Sequence, residues 1–96
     1  MLTGKQKSLL RSKANTIDPI LQIGKNEISE NLIEQINDAL EARELIKIKV
    51  LKNCLQDKKE LADEISQQTN SYVVQILGSI ITLYKESKEK KQIDLP

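Results

Sequence analysis

The chain has 96 residues, of which 39% are apolar and 30% charged, so it fits one small globular domain and excludes a disordered or fibrous chain. It has no histidine and one cysteine, which excludes a Ser-His-Asp or Cys-His catalytic set, a histidine-containing zinc site and an internal disulfide. Two tyrosines are its only aromatic residues, too few for a base-stacking platform.

The apolar stretches are too short or too interrupted for a signal peptide or a membrane span. We therefore expect a cytoplasmic monomer with no membrane contact, consisting of a single domain over residues 1–96 in which 86–96 is a charged C-terminal tail. The high charge of this tail predicts that it does not pack, apart from an edge contact by Ile93 and Leu95.

The net charge is only +1, but the charges are segregated along the chain. Residues 5–13 hold four bases and no acid, whereas 27–44 hold six acids against Arg43. Residues 47–59 hold five lysines against Asp57. Such a pattern is compatible with one surface that attracts phosphate and another that repels it, and equally with ordinary solvated helix faces.

The first half of the chain predicts a helix, a short strand and a second helix. Thr3 and Gln6 form a capping-box pattern for a helix that ends near Asn15. Residues 20–23 follow a helix-breaking Asp-Pro pair and predict a strand. Ser29 is the predicted N-cap of the second helix, whose apolar residues recur at helical spacing and whose outer face is acidic.

The second half predicts a strand, a helix and a hairpin. Alternating apolar and lysine residues indicate a strand over 45–51, and Asp57 with Glu60 indicates a helix that ends near Asn70. The runs 73–77 and 80–84 flank a Gly-Ser pair that is typical of a type II′ turn. The order α-β-α-β-α-β-β predicts a single small α/β domain with a mixed four-stranded sheet.

The hairpin pattern also predicts which side chains share a face of the sheet. A regular register pairs Val73 with Tyr84 and Gln75 with Thr82, and places Val74 in the core under the helices. The opposite, open face would then carry five polar or aromatic side chains: Lys47, Lys49, Gln75, Thr82 and Tyr84.

An ordered series of short motifs extends over nearly the whole chain. They are LTGKQK at 2–7, PILQIGKN at 19–26, AL at 39–40, ELIKIKV at 44–50, VQILG at 74–78 and LYK at 83–85. Together they closely resemble the CRM domain (chloroplast RNA splicing and ribosome maturation), whose stand-alone bacterial form is the YhbY-like protein. The resemblance implies a fold similar to the C-terminal domain of translation initiation factor three, and RNA binding. It also implies association with precursors of the large ribosomal subunit, as for bacterial members; plant members take part in intron splicing.

The loop after the first strand departs from the family pattern. It normally reads Gly-x-x-Gly, but here it reads Gly24-Lys25-Asn26-Glu27, with a carboxylate in place of the last glycine. A glycine loop entering a helix exposes backbone N–H groups that can hold phosphate, although the residues alone favour a simple strand-to-helix turn as the reason for Gly24. The resemblance favours RNA contact for Gly24, Lys25 and Asn26 but not for Glu27.

These observations define a set of candidate RNA-binding residues. The first helix supplies bases without any acid, the second strand supplies alternating lysines, and the last strand ends in the family's Tyr-Lys pair. Tyr84 either stacks on a base or covers the sheet. The candidates are Lys5, Lys7, Arg11, Lys13, Gly24, Lys25, Asn26, Lys47, Lys49, Tyr84 and Lys85.

The interpretation from sequence is a non-enzymatic RNA-binding protein that acts on ribosomal RNA during large-subunit assembly, with no cofactor, metal or small-molecule substrate. No pair of carboxylates falls in an apolar setting suited to acid-base chemistry. The lone Cys54 is expected to be packing at the end of the second strand. The rival hypothesis is a protein-interaction module that docks through the acidic face of the second helix.

Overall fold

The computed structural model describes residues 2–24, 28–54 and 56–96, which form three helices and one four-stranded sheet. The elements are α1 (Gly4–Ala14), β1 (Leu21–Ile23), α2 (Glu30–Arg43), β2 (Leu45–Val50), α3 (Lys58–Thr69), β3 (Tyr72–Leu77) and β4 (Ile80–Tyr84). Their order and the mixed sheet confirm the predicted fold class. Among the described residues, no helix is long and apolar enough to span a membrane.

The helices begin where the sequence predicts, because each has a side chain that accepts an otherwise unpaired N–H of its first turn. Thr3 and Gln6 form a reciprocal capping box at α1. Ser29 accepts from the Leu32 N–H at the start of α2, and Asp57 from that of Glu60 at the start of α3. Asn70 ends α3 in the left-handed conformation, which asparagine tolerates well.

The strand order in the sheet is β1-β2-β4-β3. β1 and β2 are parallel and are joined by α2, whereas β4 lies antiparallel between β2 and β3. Gly78 has a φ of 59° at the first turn position of the hairpin, as a type II′ turn requires. The parallel crossover and the antiparallel hairpin are therefore both confirmed.

The sheet separates two apolar cores. The larger core lies under α2 and α3 and includes Ile36, Leu40, Ile48, Leu61 and Ile81. The smaller core lies on the other face, where α1 and the C-terminal tail cover the sheet; it consists of Leu10, Ala14, Leu45, Val74, Tyr84 and Ile93. α1 thus closes much of the face that the sequence predicted to be open.

A register shift in the hairpin corrects the predicted faces of β3. Gln75 pairs with Thr82 as predicted, but Val73 pairs with Leu83 and not with Tyr84, because the register shifts between Val73 and Gln75. One extra residue on one strand reverses the facing of the side chains beyond it. Val74 therefore packs under α1, and Val73 packs against the larger core.

The C-terminal tail is packed, contrary to the prediction that its charge would keep it free. Two carboxylates near the end of α2 accept hydrogen bonds from the tail. Glu44 accepts from the N–H groups of Ser87, Gln92 and Ile93, and Glu41 from those of Lys88 and Glu89 and from the Ser87 hydroxyl. These bonds hold the tail so that the Ile93 side chain is 7% exposed in the smaller core.

Candidate nucleic-acid interface

α1 presents its basic side chains from two flanks that face different parts of the molecule. Leu10 and Ala14 are fully buried against the sheet. On one flank, the Gln6 side chain donates to the Pro96 carbonyl oxygen at 3.0 Å, so this flank faces the tail. At 100° per residue, Lys7 and Arg11 lie on the opposite flank, towards the part of the sheet that the helix leaves uncovered.

The uncovered part of the sheet is a row of side chains that crosses all four strands. Lys49 pairs with Gln22 on one side and with Ile80 on the other, and Ile80 pairs with Leu77, so these four side chains share a face. Lys49 and Gln22 are exposed, and Leu77 is 69% exposed. Lys47, one row nearer to α1, is half-buried. Lys7, Arg11, Lys47 and Lys49 thus lie on the same side of the molecule; we call these four residues the basic face.

Gly24 lies at the carboxyl end of β1, beside the segment that follows β2. The Ile23 carbonyl accepts the Leu51 N–H at 2.8 Å. A β-carbon on Gly24 would be 3.3 Å from the Asn53 side-chain oxygen, so close packing is one reason for a glycine at this position. The other predicted loop contacts, Lys25 and Asn26, lie outside the described residues, as does Glu27.

Three of the predicted lysines do not join the basic face. Lys13 lines a cleft with Arg43 and Ile93 at the tail end of the molecule. Lys85 lines a cavity with Asp38 and Glu41, and its N–H donates to the Glu44 carbonyl. Lys5 is exposed in the first turn of α1, away from the buried side of the helix.

Tyr84 is not on an open surface, which corrects the predicted placement of its ring. It is 4% exposed and packs in the smaller core, so it covers the sheet and has no free face for a base. Burial raises the pKa of its hydroxyl above the ordinary value, with smaller contributions from the nearby carboxylates of Glu44 and Glu86. Thr82, predicted on the same face, is also buried.

Sequence reasoning did not select Lys52 or Lys58, although the structure places both beside Lys49. All three line one groove next to the hairpin turn, where the Lys58 ammonium donates to the Gly78 carbonyl at 3.0 Å. The excess of lysines over 47–59 was a signal for this cluster. Only the approach of the turn to the end of β2, through the Val50 N–H and the Ser79 carbonyl, brings them together.

The charges divide between the two sides of the sheet. Among the residues that the structure describes, the ion pairs join Lys91 to Glu86 and to Asp94, and the lysines and arginine of the basic face take part in none. Six exposed acids lie on α2 and α3, on the other side of the sheet, where they outnumber the exposed bases Arg43, Lys58 and Lys59: Glu30, Glu34, Asp38, Glu60, Asp63 and Glu64. The other exposed acids of the described residues lie outside these two helices: Asp18, Asp57, Glu86, Glu89 and Asp94. The basic face is therefore free to attract an anion, whereas the α2 and α3 side repels one.

The acidic side of α2 is smaller than its sequence indicates. Glu44 is fully buried and Glu41 is half-buried, and both are occupied by the tail. Hydrogen bonds from the Lys88 backbone and the Ser87 hydroxyl lower the pKa of Glu41 below its usual range. The described carboxylates free to meet a partner on α2 are thus Glu30, Glu34 and Asp38. Across the described part of the chain, no cluster of acidic or cysteine side chains could hold a metal ion.

Comparison with known proteins identifies the fold family. The family model of the CRS1/YhbY (CRM) domain matches residues 2–85. The chain belongs to the CRM domain family. Within this CRM domain, the matched region includes all three helices and all four strands.

Relatives match the CRM domain over its full length. It is 56% identical over 96 residues to the "Probable RNA-binding protein YqeI" of Bacillus subtilis, with all of both chains covered. It is 36% identical over 95 residues to an "RNA-binding protein" of Haemophilus influenzae, covering 99% of this chain and 95% of that one. The solution structure of protein SAV1595 from Staphylococcus aureus is 61% identical, with a TM-score of 0.83 and complete coverage of both chains.

Proposed function

We propose that this protein is a non-enzymatic, cytoplasmic RNA-binding protein that associates, as a monomer, with ribosomal RNA precursors during assembly of the large ribosomal subunit. The basic face contacts phosphates, and Gly24, Lys25 and Asn26 also contact the RNA backbone. The relatives named as RNA-binding proteins support the class of ligand. The ribosomal target rests on the family resemblance.

The observation that carries the proposal is the separation of charge by the sheet. Lys7, Arg11 and Lys49 project from one side and form no ion pair with any residue that the structure describes, and the exposed carboxylates of α2 and α3 lie on the other side. Phosphate neutralisation by such cations releases counterions and supplies affinity for any RNA. Tyr84 is buried and cannot stack on a base, which leaves the 42% exposed Tyr72 as the one accessible ring among the described residues, so selectivity comes mainly from the shape of folded RNA.

The rival function, protein docking through the acidic side of α2, has less support. Of the acids that this hypothesis used, Glu41 and Glu44 bind the tail of the same chain. Glu30, Glu34 and Asp38 remain as an exposed acidic stripe. Such a stripe is typical of a solvated helix surface.

A salt titration with matched variants tests the proposal. Affinity for a folded fragment of large-subunit ribosomal RNA is measured at several salt concentrations for the wild type and for Lys7→Gln with Arg11→Gln. We expect the double variant to bind more weakly and to reduce the slope of log affinity against log salt by about 1.4 to 1.8, because each lost phosphate contact contributes about 0.7 to 0.9.

The control is Glu30→Gln with Glu34→Gln, which changes two charges on the opposite side of the sheet. We expect at most a modest gain in affinity, from weaker long-range repulsion. A flat salt dependence in the wild type would contradict the phosphate mechanism. Crosslinking in cells, followed by mapping of the bound RNA, tests the ribosomal target; sites confined to other RNAs would contradict it.

A further inference from the structure

The groove beside the hairpin turn has the chemistry of a nucleotide site. It has a volume of about 670 Å³, within the range of pockets that hold small organic ligands. Its lining combines an apolar floor with three lysines: Val50, Leu51, Cys54, Lys49, Lys52 and Lys58. Ser79 and Gln56 complete it, and no acid is among the described lining residues.

One cation of the groove, Lys58, is held in place before any ligand binds. The Lys58 ammonium is held by the Gly78 carbonyl at the hairpin turn, so part of the entropy cost of fixing this long side chain is already met. The nearest acid in the sequence, Asp57, is used to cap α3 by accepting the Glu60 N–H. Among the described residues, no carboxylate lines the groove or forms an ion pair with its lysines.

The groove is continuous with the basic face. Lys49 belongs to both, since it lies in the exposed row of the sheet and also lines the groove. On the other side, Leu51 lies beside Gly24, with its Cδ1 atom 3.5 Å from the position of a β-carbon on that glycine. An RNA strand on the basic face would thus pass directly over the opening of the groove.

We propose that this groove is a subsite for one unpaired nucleotide of the bound RNA. The base enters the apolar floor formed by Val50, Leu51 and Cys54, and the flanking phosphates contact Lys52 and Lys58. This inference rests on the proposed function and adds a preference to it. A protein with such a subsite binds RNA that contains an unpaired nucleotide more tightly than fully paired RNA. Unpaired nucleotides are accessible to such a site, whereas paired bases are held in the stack.

Cys54 provides a reporter that needs no mutation, because it is the chain's one cysteine and lines the groove. The rate of its alkylation by iodoacetamide is followed by mass spectrometry with two blunt-ended, two-stranded RNA duplexes that differ only in one bulged nucleotide. At a bulged-RNA concentration about ten times its Kd, we expect alkylation to slow about tenfold, since only the free protein reacts. At the same occupancy, the fully paired duplex should leave the rate near that of free protein.

The variant test uses Lys52→Gln with Lys58→Gln, and its matched control is Lys59→Gln with Lys90→Gln. The control pair removes the same charge from exposed lysines outside the groove. We expect the groove variant to lose Cys54 protection and to reduce the salt slope for bulged RNA by about 1.4, the value for two single-strand phosphate contacts. Lys52→Gln alone, which leaves the Lys58 contact with the turn intact, should reduce the slope by about 0.7.

The outcomes separate this inference from the proposed function. If RNA binding depends on salt but Cys54 is not protected, the groove proposal is wrong and the proposed function stands. The same conclusion follows if the groove and control variants bind bulged RNA equally well. Absence of any salt-dependent RNA binding would overturn both. If uridine monophosphate protects Cys54 and bulged RNA does not, the groove is a site for free nucleotide and the inference is wrong.

Discussion

Tyr84 and Glu44 show how far a single side chain can depart from the role that its residue type suggests. Tyr84, an aromatic residue in a protein whose relatives are named as RNA-binding proteins, is buried beneath α1. Glu44, in an acidic stretch that predicts a solvated surface, is fully buried with a φ of 66° and a ψ of −42°. This backbone conformation is costly for a residue with a β-carbon, and three hydrogen bonds from the tail to its carboxylate help to hold it.

Replacement of Tyr84 by phenylalanine separates core packing from RNA contact. We expect Tyr84→Phe to leave RNA affinity unchanged, because the ring is buried. The pKa of Tyr84 is raised in the folded protein, so above pH about 10 the unfolded chain loses this proton first and alkali favours unfolding.

Tyr84→Phe lacks this linkage and should lose less stability than the wild type as pH rises through that window. Urea unfolding at neutral and alkaline pH measures the difference, and filter binding measures RNA affinity. A large loss of RNA affinity in folded Tyr84→Phe protein would show that the Tyr84 hydroxyl contacts RNA.

At the scale of elements, the two ends of α2 differ: the first turns are exposed to solvent, and the last turn binds the C-terminal tail. Its first turns expose Glu30 and Glu34, while its last turn and C-cap place Glu41 and Glu44 under the tail. The tail contributes N–H groups that would otherwise lack partners, and the carboxylates gain charge-assisted hydrogen bonds. The charge of the tail therefore does not prevent packing, because its attachment uses backbone N–H groups, the neutral Ser87 and Gln92 side chains and the buried Ile93.

The attachment predicts different effects for two conservative substitutions on α2. In Glu44, one oxygen accepts from Gln92 and Ile93 and the other from Ser87, so Glu44→Gln must turn an amide donor towards at least one donor. We expect a loss of about 1–3 kcal/mol in the free energy of unfolding. Glu34→Gln, at an exposed site of the same helix, should change stability by less than about 0.5 kcal/mol.

Urea denaturation measures both variants, and limited proteolysis reports release of the tail. Equal stability of the two variants would show that the Glu44 contacts contribute nothing measurable. Cleavage within the tail should rise only for Glu44→Gln.

At the scale of the whole molecule, the sheet separates an acidic, helix-covered side from a basic side that α1 covers only in part. Because α1 covers only part of this side, the row of side chains formed by Gln22, Lys49, Ile80 and Leu77 is accessible. This accessibility requires that α1 is held at the end of the sheet where the tail lies. The tail contributes to this position through Ile93 and through the contact between Gln6 and Pro96. The tail therefore supports the RNA surface without belonging to it.

Removal of residues 86–96 tests this support. Loss of the buried Ile93 side chain alone should lower the free energy of unfolding by about 1.5–3 kcal/mol. Where the shortened chain is still folded by circular dichroism, we expect the salt slope for RNA to persist, because Lys7, Arg11 and Lys49 all remain. Loss of that slope in folded, shortened protein would place RNA contacts in the tail.

The sequence by itself determined the elements of this protein, because caps, turns and periodicity act over a few residues. Thr3, Ser29 and Asp57 predicted the helix starts, and Gly78 predicted the turn. It also determined the family, through motifs spread along residues 2–85, and it selected Lys7, Arg11, Lys47 and Lys49, which share the basic face.

Tertiary structure alone decided which face each element covers, because that depends on contacts between residues far apart in the chain. The register shift near Val74 reversed which face of the sheet the first side chains of β3 occupy. Packing of α1 against Leu45 and Tyr84 covered much of the face that the sequence pattern predicted to be exposed. The burial of Glu44 by a tail more than 40 residues away has no local signal either. The excess of lysines over 47–59 was visible in the sequence, but the meeting of Lys49, Lys52 and Lys58 at one groove requires the hairpin turn to bond to the end of β2.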